Sequence, residues 1–458
     1  MYQINFNRPV SIHFIGIGGI SMSGLAEILM DEGFSVSGSD AKPSPLTKRL
    51  AKKGAVIYYG QRAENLNDSI DLVVYTSAIH PDNPEYIAMQ ERGIPSLTRA
   101  QLLGQMMKNY DLPIAISGTH GKTTTTSMAS EILLEAGTDP TLSIGGILKA
   151  IDGNIRVGHG PYFVTEACEY TNSFLSFFPK IGVILNVEED HLDFFKDIAD
   201  IRNSFHRFAA LLPENGTLII NGEIPEINTI LEGLSCRVIT YGKTGEYDYH
   251  PEQISYQNGC ANFLVVGKNG LKETISLSVP GEHNIYNAMA AIALADLLAI
   301  DFSVVKKALS NFHGTDRRFE YKGKVQGVTI IDDYAHHPTE ITATLNAAQN
   351  YPHATLWCVF QPHTFSRTKA FMKEFAKALS LADRVVLSDI YPARETDSLG
   401  ISSETLKKEI EALGKTCYYF PSFEEIENFL LKNCTQNDLL ITMGAGDVLN
   451  IGENLLKR

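Results

Sequence analysis

The sequence predicts an α/β protein built of three units, and three observations carry that expectation. Apolar strand-like runs alternate with helical patterns nearly throughout, which places strands side by side in parallel sheets covered by helices. Two of those runs end in glycine turns that open helices, beginning at Gly16 and at Gly118. A further series of strand–loop–helix patterns fills the chain from Phe312 onward.

The first unit opens with the apolar run Val10–Ile15, followed by G-I-G-G-I-S-M-S-G from Gly16 to Gly24. A helix through Leu29 and a strand over Phe34–Ser37 come next, with Ser39 and Asp40 at its end. This is a dinucleotide-type βαβ start, in which Gly16, Gly18 and Gly19 let backbone N–H groups approach a pyrophosphate at a helix N-terminus. The third glycine of that fingerprint is replaced by Ser21, so the motif points to a pyrophosphate without saying which molecule carries it. Asp40 reads either as a plain turn residue or as a partner for a ribose or base edge. Further strands are expected at Leu72–Thr76 and near Ile94–Leu97.

The second unit begins near Pro113. Ile114–Ser117 run into Gly118-Thr119-His120-Gly121-Lys122-Thr123-Thr124 and a helix. Glycines turn N–H groups toward oxyanions, Lys122 can reach terminal phosphates, and the Thr123 hydroxyl can join a magnesium ion. The spacing is shorter than that of the standard phosphate loop, and the plainer alternative is a corner with a solvated lysine. Later strands are expected at Tyr162–Thr165, Ile181–Asn186 and Thr217–Asn221. Glu166 and Glu169 follow the first of these, and V-E-E-D-H-L-D (Val187–Asp193) follows the second. Ligands of open parallel sheets bind outside the carboxyl ends of strands, so Glu166 and His191 are expected to converge on a metal-phosphate site. Each also has a bland reading, solvation for Glu166 and a structural role for His191. Asn284 and Asn287 lie three apart in the helical pattern Pro280–Leu298 and share a face, as an adenine-reading pair or as packing.

The third unit carries H-G-T-D-R-R-F-E (His313–Glu320) and V-T-I-I-D-D-Y-A-H-H-P-T-E (Val328–Glu340), then strand–loop–helix patterns at Leu356–Arg367, Val385–Arg394 and Leu439–Val448. Arg317, Arg318, Asp333, His336, His337, His363 and Arg367 fall at loop positions. Adjacent histidines point apart on any regular element, and no third ligand completes a zinc set. The 458 residues suit two to four domains, and a net charge of -14 argues against nonspecific nucleic-acid binding. Six scattered cysteines suggest reduced thiols. With neither an export segment nor a bilayer-length apolar run, a cytoplasmic enzyme off the membrane is expected.

With these segments in order, the chain resembles the Mur ligases over its whole length. The resemblance rests on the glycine turn from Gly16, S-G-T-H-G-K-T-T-T from Ser117, E-H-N-I-Y-N-A from Glu282, R-R-F-E from Arg317, D-D-Y-A-H-H-P-T-E from Asp332 and F-Q-P-H-T-F-S-R-T from Phe360. It implies a Rossmann-like UDP-binding domain over 1–108, a central P-loop ATPase-type domain over 109–312 and a Rossmann-like domain over 313–458. The implied reaction is ATP-dependent ligation of L-alanine to the muramate carboxylate of UDP-N-acetylmuramate through an acyl phosphate. A sister activity, attachment of a recycled tripeptide to the same UDP-sugar, is the alternative. ATP and Mg2+ are the implied cofactors, and the chain is expected as a monomer or weak homodimer.

By the same resemblance, Gly118, Thr119, His120, Gly121, Lys122, Thr123 and Thr124 surround the ATP phosphates. Thr123 and Glu166 hold one magnesium, and His191 stands at a second. Asn284 and Asn287 contact adenine, Asp333 the ribose, and Arg318 or its neighbour Arg317 the phosphates. Tyr334, His336 and Arg367 line the incoming alanine; Gly16, Gly18, Gly19, Asp40 and Ser77 hold the UDP-sugar. Chemistry is expected of Lys122, His191, Arg318, His336 and Arg367. Two departures stand out: Thr364 where relatives often have arginine, and A-C-E-Y-T after Glu166 where relatives commonly read A-D-E-S-D, which puts Glu169 in doubt.

Overall fold

In a computed structural model, which describes residues 2–76, 79–257, 259–393 and 395–458, the chain forms two compact units. One comprises the residues up to Glu188 together with Ile198–Thr240; the other comprises Glu189–Asp197 and Tyr241–Arg458.

The first unit holds two sheets. β1 (Ser11–Ile15), β2 (Ser35–Asp40), β3 (Val56–Tyr59), β4 (Leu72–Tyr75) and β5 (Ser96–Thr98) pair in parallel in the order β3-β2-β1-β4-β5. The order reverses beside β1, so the glycine turn that follows it opens at the switch point where α/β sheets take ligands. The second sheet contains β6 (Leu112–Ser117), β7 (Thr141–Leu148), β8 (Gly153–Arg156), β9 (Tyr162–Ala167), β10 (Ile181–Ile184), β11 (Thr217–Asn221) and β12 (Arg237–Tyr241), ordered β12-β11-β10-β6-β9-β7-β8. β6 lies between β10 and β9, parallel to both. Every residue of β10 is buried, the continuous apolar run expected of a strand covered on both faces.

The second unit also holds two sheets. β13 (His250–Gln257), β14 (Cys260–Val266) and β15 (Lys272–Pro280) form an antiparallel meander. β16 (Glu320–Val325), β17 (Val328–Asp333), β18 (Leu356–Phe360), β19 (Arg384–Leu387), β20 (Thr416–Tyr419) and β21 (Leu439–Met443) are ordered β16-β17-β21-β18-β19-β20. Only β16 in this sheet pairs antiparallel. Alternation along its strands fills two layers: Ile331, Phe360, Leu387 and Ile441 on one face, Ile330, Trp357, Val386 and Leu440 on the other. Two side-chain directions per strand thus build two cores.

The expectation of parallel sheets holds for the main strands and fails for β13–β15 and for the pairs β7–β8 and β16–β17. Hairpin-length connections allow antiparallel pairing, whereas parallel neighbours need a crossover. Strand β2 runs on to Asp40, and β10 stops at Ile184 rather than Asn186. No helix among the described residues is long and apolar enough to cross a membrane.

One close approach ties the two sheets of the first unit together. Gly104, in the helix Arg99–Met107, faces the backbone of the short helical segment Tyr170–Ser176. A Cβ added there would lie 1.9 Å from the Ser176 carbonyl oxygen. Gly104→Ala should therefore push these elements apart and destabilise the unit by about 1–3 kcal/mol, the usual range for overpacking. Thermal unfolding reads this directly; a midpoint equal to the parent's would show that the contact relaxes without strain.

Candidate active site

The phosphate turn is held from both sides by the strands flanking β6. Ser117 Oγ donates to the Ala167 carbonyl at 2.7 Å. Across the turn, His120 N donates to Asn186 Oδ1 at 2.8 Å, and Asn186 Nδ2 donates to the His120 carbonyl at 3.0 Å. Thr119 N adds a bond to the Asn186 carbonyl at 3.2 Å, and Glu188 N donates to Thr119 Oγ1 at 2.9 Å. Gly118 (φ +149) and Gly121 (φ +82) supply backbone shapes that L side chains rarely adopt. Gly121 ends the turn as the cap of the helix Lys122–Glu135.

Lys122 Nζ donates to the carbonyls of Gly118 and Thr119 at 2.5 and 3.0 Å and to Glu169 Oε2 at 3.0 Å. Burial works against the ammonium charge, but the Glu169 carboxylate more than compensates and raises its pKa. Glu169, doubtful from sequence, is buried beside the lysine. Thr123 Oγ1 donates to Glu166 Oε2 at 3.1 Å, and Gly145 N donates to Glu166 Oε1 at 2.6 Å. A hydroxyl and a carboxylate at this distance make an all-oxygen donor set, which fits a hard cation such as Mg2+. Thr124 is half-buried in the first turn of the same helix.

In the first sheet, Gly16 N and Ile17 N donate to the Ser39 carbonyl. Gly18 N donates to Asp40 Oδ2 at 2.8 Å. Asp40, expected on a uridine, thus also shapes the glycine turn. Gly19 caps the helix Ile20–Asp31 without a side-chain hydrogen bond, so the helix end keeps N–H groups for an anion. Ser77 lies outside the described residues.

The second unit separates the two adjacent arginines. Arg317 (φ +62) donates through Nε to Asp332 Oδ2 at 3.1 Å and through Nη2 to the Gly444 carbonyl at 2.6 Å. Its own carbonyl accepts from Tyr334 N at 2.7 Å. Arg317, expected with Arg318 on the phosphates, braces the fold through these bonds, whereas Arg318 pairs with Glu340 at 3.8 Å. Asp333 accepts from Phe319 N and Ala335 N, both at 2.8 Å. Burial raises its pKa to about 6 despite these bonds and Arg318.

Tyr334 lies beneath the guanidinium carbons of Arg317 and Arg318 at 4.8 and 5.2 Å. His336 packs edge-on against Tyr334 and His363, with centroids at 5.4 and 5.9 Å, and places Nδ1 3.3 Å from Glu340. His337 points elsewhere and caps the next helix. Burial lowers the pKa of His336 and of His363 to about 4. Arg367 donates through Nη2 and Nε to Asp190 Oδ1 at 3.0 and 3.3 Å. Burial opposes ionisation of Asp190, but Arg367 outweighs it and holds the carboxyl well below its usual range. His191 (φ +53) donates its N–H to the same Oδ1 at 2.7 Å. Thr364 (φ +68) is a helix cap, its Oγ1 accepting from Arg367 N. Asn284 and Asn287 do share a buried face: Asn287 Nδ2 donates to Asn284 Oδ1 at 3.0 Å, and Asn284 Nδ2 to the Pro280 carbonyl at 2.7 Å.

Asn186, Asp190 and Glu340 were not singled out from sequence. Each lay inside a segment already noted, Ile181–Asn186, Val187–Asp193 and Val328–Glu340, but nothing in those segments set it apart from its neighbours.

The chain matches the Mur ligase family catalytic domain over residues 11–111, the Mur ligase middle domain over 116–295 and the Mur ligase glutamate ligase domain over 317–446. It belongs to the Mur ligase family. A UDP-N-acetylmuramate–L-alanine ligase of Agathobacter rectalis is 60% identical over 100% of both chains. Among solved structures, this Mur ligase is similar to the UDP-N-acetylmuramate–alanine ligase of Thermotoga maritima, with TM-score 0.81 and 31% identity over 98% of each chain. It is also similar to a murein peptide ligase of Psychrobacter arcticus, with TM-score 0.72 and 26% identity over 98% of each chain.

The two histidines set a pH dependence. His336 and His363 titrate near 4 in the fold and near ~6.5 in the unfolded chain. The unfolded state therefore binds more protons between these values, and stability is lost as pH falls through that window. A third histidine, His283, is likewise lowered to about 4 by burial and by Arg318; Asp333, raised to about 6, acts in the opposite sense over nearly the same range, so the histidines outweigh it. The melting midpoint should fall between pH 6.5 and 4, and His336→Gln should flatten the slope. An unchanged slope in that variant would show that His336 is not held neutral.

Proposed function

We propose that this Mur ligase joins L-alanine to the muramate carboxylate of UDP-N-acetylmuramate, with ATP and Mg2+, in cytoplasmic peptidoglycan precursor synthesis. The observation that carries the reading is the phosphate turn itself, with Lys122 and the Thr123–Glu166 pair beside it. The full-length likeness to an L-alanine ligase favours alanine over a recycled tripeptide. The working domains are taken as 1–108 for the UDP-sugar, 109–312 for ATP and 313–458 for closure over the amino acid.

A carboxylate barely reacts with an amine, so the acid is first activated. Its oxygen attacks the γ-phosphorus of ATP, ADP leaves, and an acyl phosphate forms. The alanine amine then attacks the acyl carbon, and phosphate departs from the tetrahedral intermediate. Phosphoryl transfer asks for positioning and charge neutralisation rather than covalent help. Lys122 supplies a charge that Glu169 keeps in place and Arg318 a second; Gly118–Gly121 cradle the phosphates. Thr123 and Glu166 would hold one magnesium ion and His191 a second, which would supply positive charge to neutralise the phosphates. Asn284 and Asn287 meet adenine, and Asp333 the ribose. Gly16, Gly18, Gly19, Asp40 and Ser77 hold the UDP-sugar. Tyr334, His336 and Arg367 receive alanine, with Asp190 orienting the guanidinium.

Phosphate release with UDP-N-acetylmuramate, ATP and a panel of amino acids plus the tripeptide tests the reaction. Alanine should be the preferred acceptor, and Lys122→Ala should remove activity in a chain that still folds but melts earlier, since it leaves Glu169 buried and unpaired. Preference for the tripeptide, or near-normal turnover in the variant, would overturn the assignment. Arg367→Ala tests the acceptor site separately. Loss of a charge-assisted bond should raise the Michaelis constant for L-alanine on the order of ten- to a hundredfold, with those for ATP and the UDP-sugar nearly unchanged. Equal shifts for all three would remove Arg367 from alanine recognition.

A further inference from the structure

Ser21, the departure from the first glycine fingerprint, has a partner. Its Oγ accepts a hydrogen bond from Arg99 Nη1 at 3.1 Å. Arg99 is half-buried at the first position of the helix Arg99–Met107. Among the described residues that hydroxyl is its one side-chain hydrogen-bond partner, the Cys168 thiol lies near enough to interact electrostatically, and no carboxylate lies within ion-pair distance. Burial works against its charge. A guanidinium taken from water without a counter-charge is costly, and a neutral hydroxyl does not supply that charge. The site wants an anion.

Where Arg99 stands narrows which anion. On one side lies the glycine turn, through Ser21. On the other, its helix packs so tightly on Tyr170–Ser176 that Gly104 has no room for a Cβ. That segment directly follows Cys168 and Glu169, and Glu169 holds Lys122. Arg99 thus sits between the turn read as the diphosphate site and the loop read as the ATP site. On the reading of those two sites, the acid of the UDP-sugar meets the γ-phosphate between them.

We propose that Arg99, steadied by Ser21, binds the lactyl carboxylate of UDP-N-acetylmuramate and aligns it for phosphorylation. This rests on the reading of that UDP-sugar as substrate. A guanidinium fork matches a carboxylate with two parallel hydrogen bonds, and a held carboxylate reacts from one orientation rather than many.

Calorimetric titration of UDP-N-acetylmuramate, of UDP-N-acetylglucosamine, which lacks the lactyl acid, and of UDP separates carboxylate from diphosphate recognition. Arg99→Met should weaken the first on the order of ten- to a hundredfold and leave the other two and the melting midpoint unchanged. Arg99→Lys keeps charge without the fork; it should recover part of the loss, and in turnover it should raise the Michaelis constant for the UDP-sugar but not for ATP. Equal weakening of all three ligands would assign Arg99 to the diphosphate and overturn the proposal, as would unchanged binding throughout. A folded parent that bound none of the three would overturn the substrate reading itself, and this inference with it.

Discussion

The buried pair of Lys122 and Glu169 is the constraint around which the first unit is arranged. The lysine also bonds the carbonyls of Gly118 and Thr119, so one ammonium fixes the shape of the turn. A buried charge of this kind is tolerable only if paired and fully hydrogen-bonded. Glu169 must therefore leave β9 at the right height, and β9 must lie beside β6. The sheet order with β6 between β9 and β10 satisfies both, and it brings Asn186 from the opposite side to grip His120.

The second unit uses the same device several times, with carboxylates restraining arginines. Asp332 and the Gly444 carbonyl commit Arg317 to the fold, while Arg318 beside it keeps a distant ion pair with Glu340 and a contact with the Tyr334 ring. Asp190 steadies Arg367, and the Arg367 charge in turn keeps Asp190 ionised. Asp333 ties two loops together through Phe319 N and Ala335 N. Such pairs orient long, flexible side chains before any ligand arrives, which cuts the entropy lost on binding. The positive-φ residues Arg317, Phe319 and Thr364 lie in these same loops, a strained backbone that the surrounding bonds hold in place.

Sequence determined the α/β class, the positions of both glycine turns and the shared helix face of Asn284 and Asn287, because each depends on local chemistry. A strand needs an apolar run, a phosphate turn needs glycine before lysine and threonine, and two asparagines three apart must share a helix face. The antiparallel meander β13–β15 was illegible, since a period of two does not reveal the direction of a partner. Tertiary structure alone decided which of Arg317 and Arg318 is the brace, that Glu169 pairs with Lys122, that Asp190 holds Arg367, and that Ser21 meets Arg99. In each case the partners are far apart in the chain or equivalent within it. An ion pair is chosen by distance in space, and sequence spacing carries that distance only within one element.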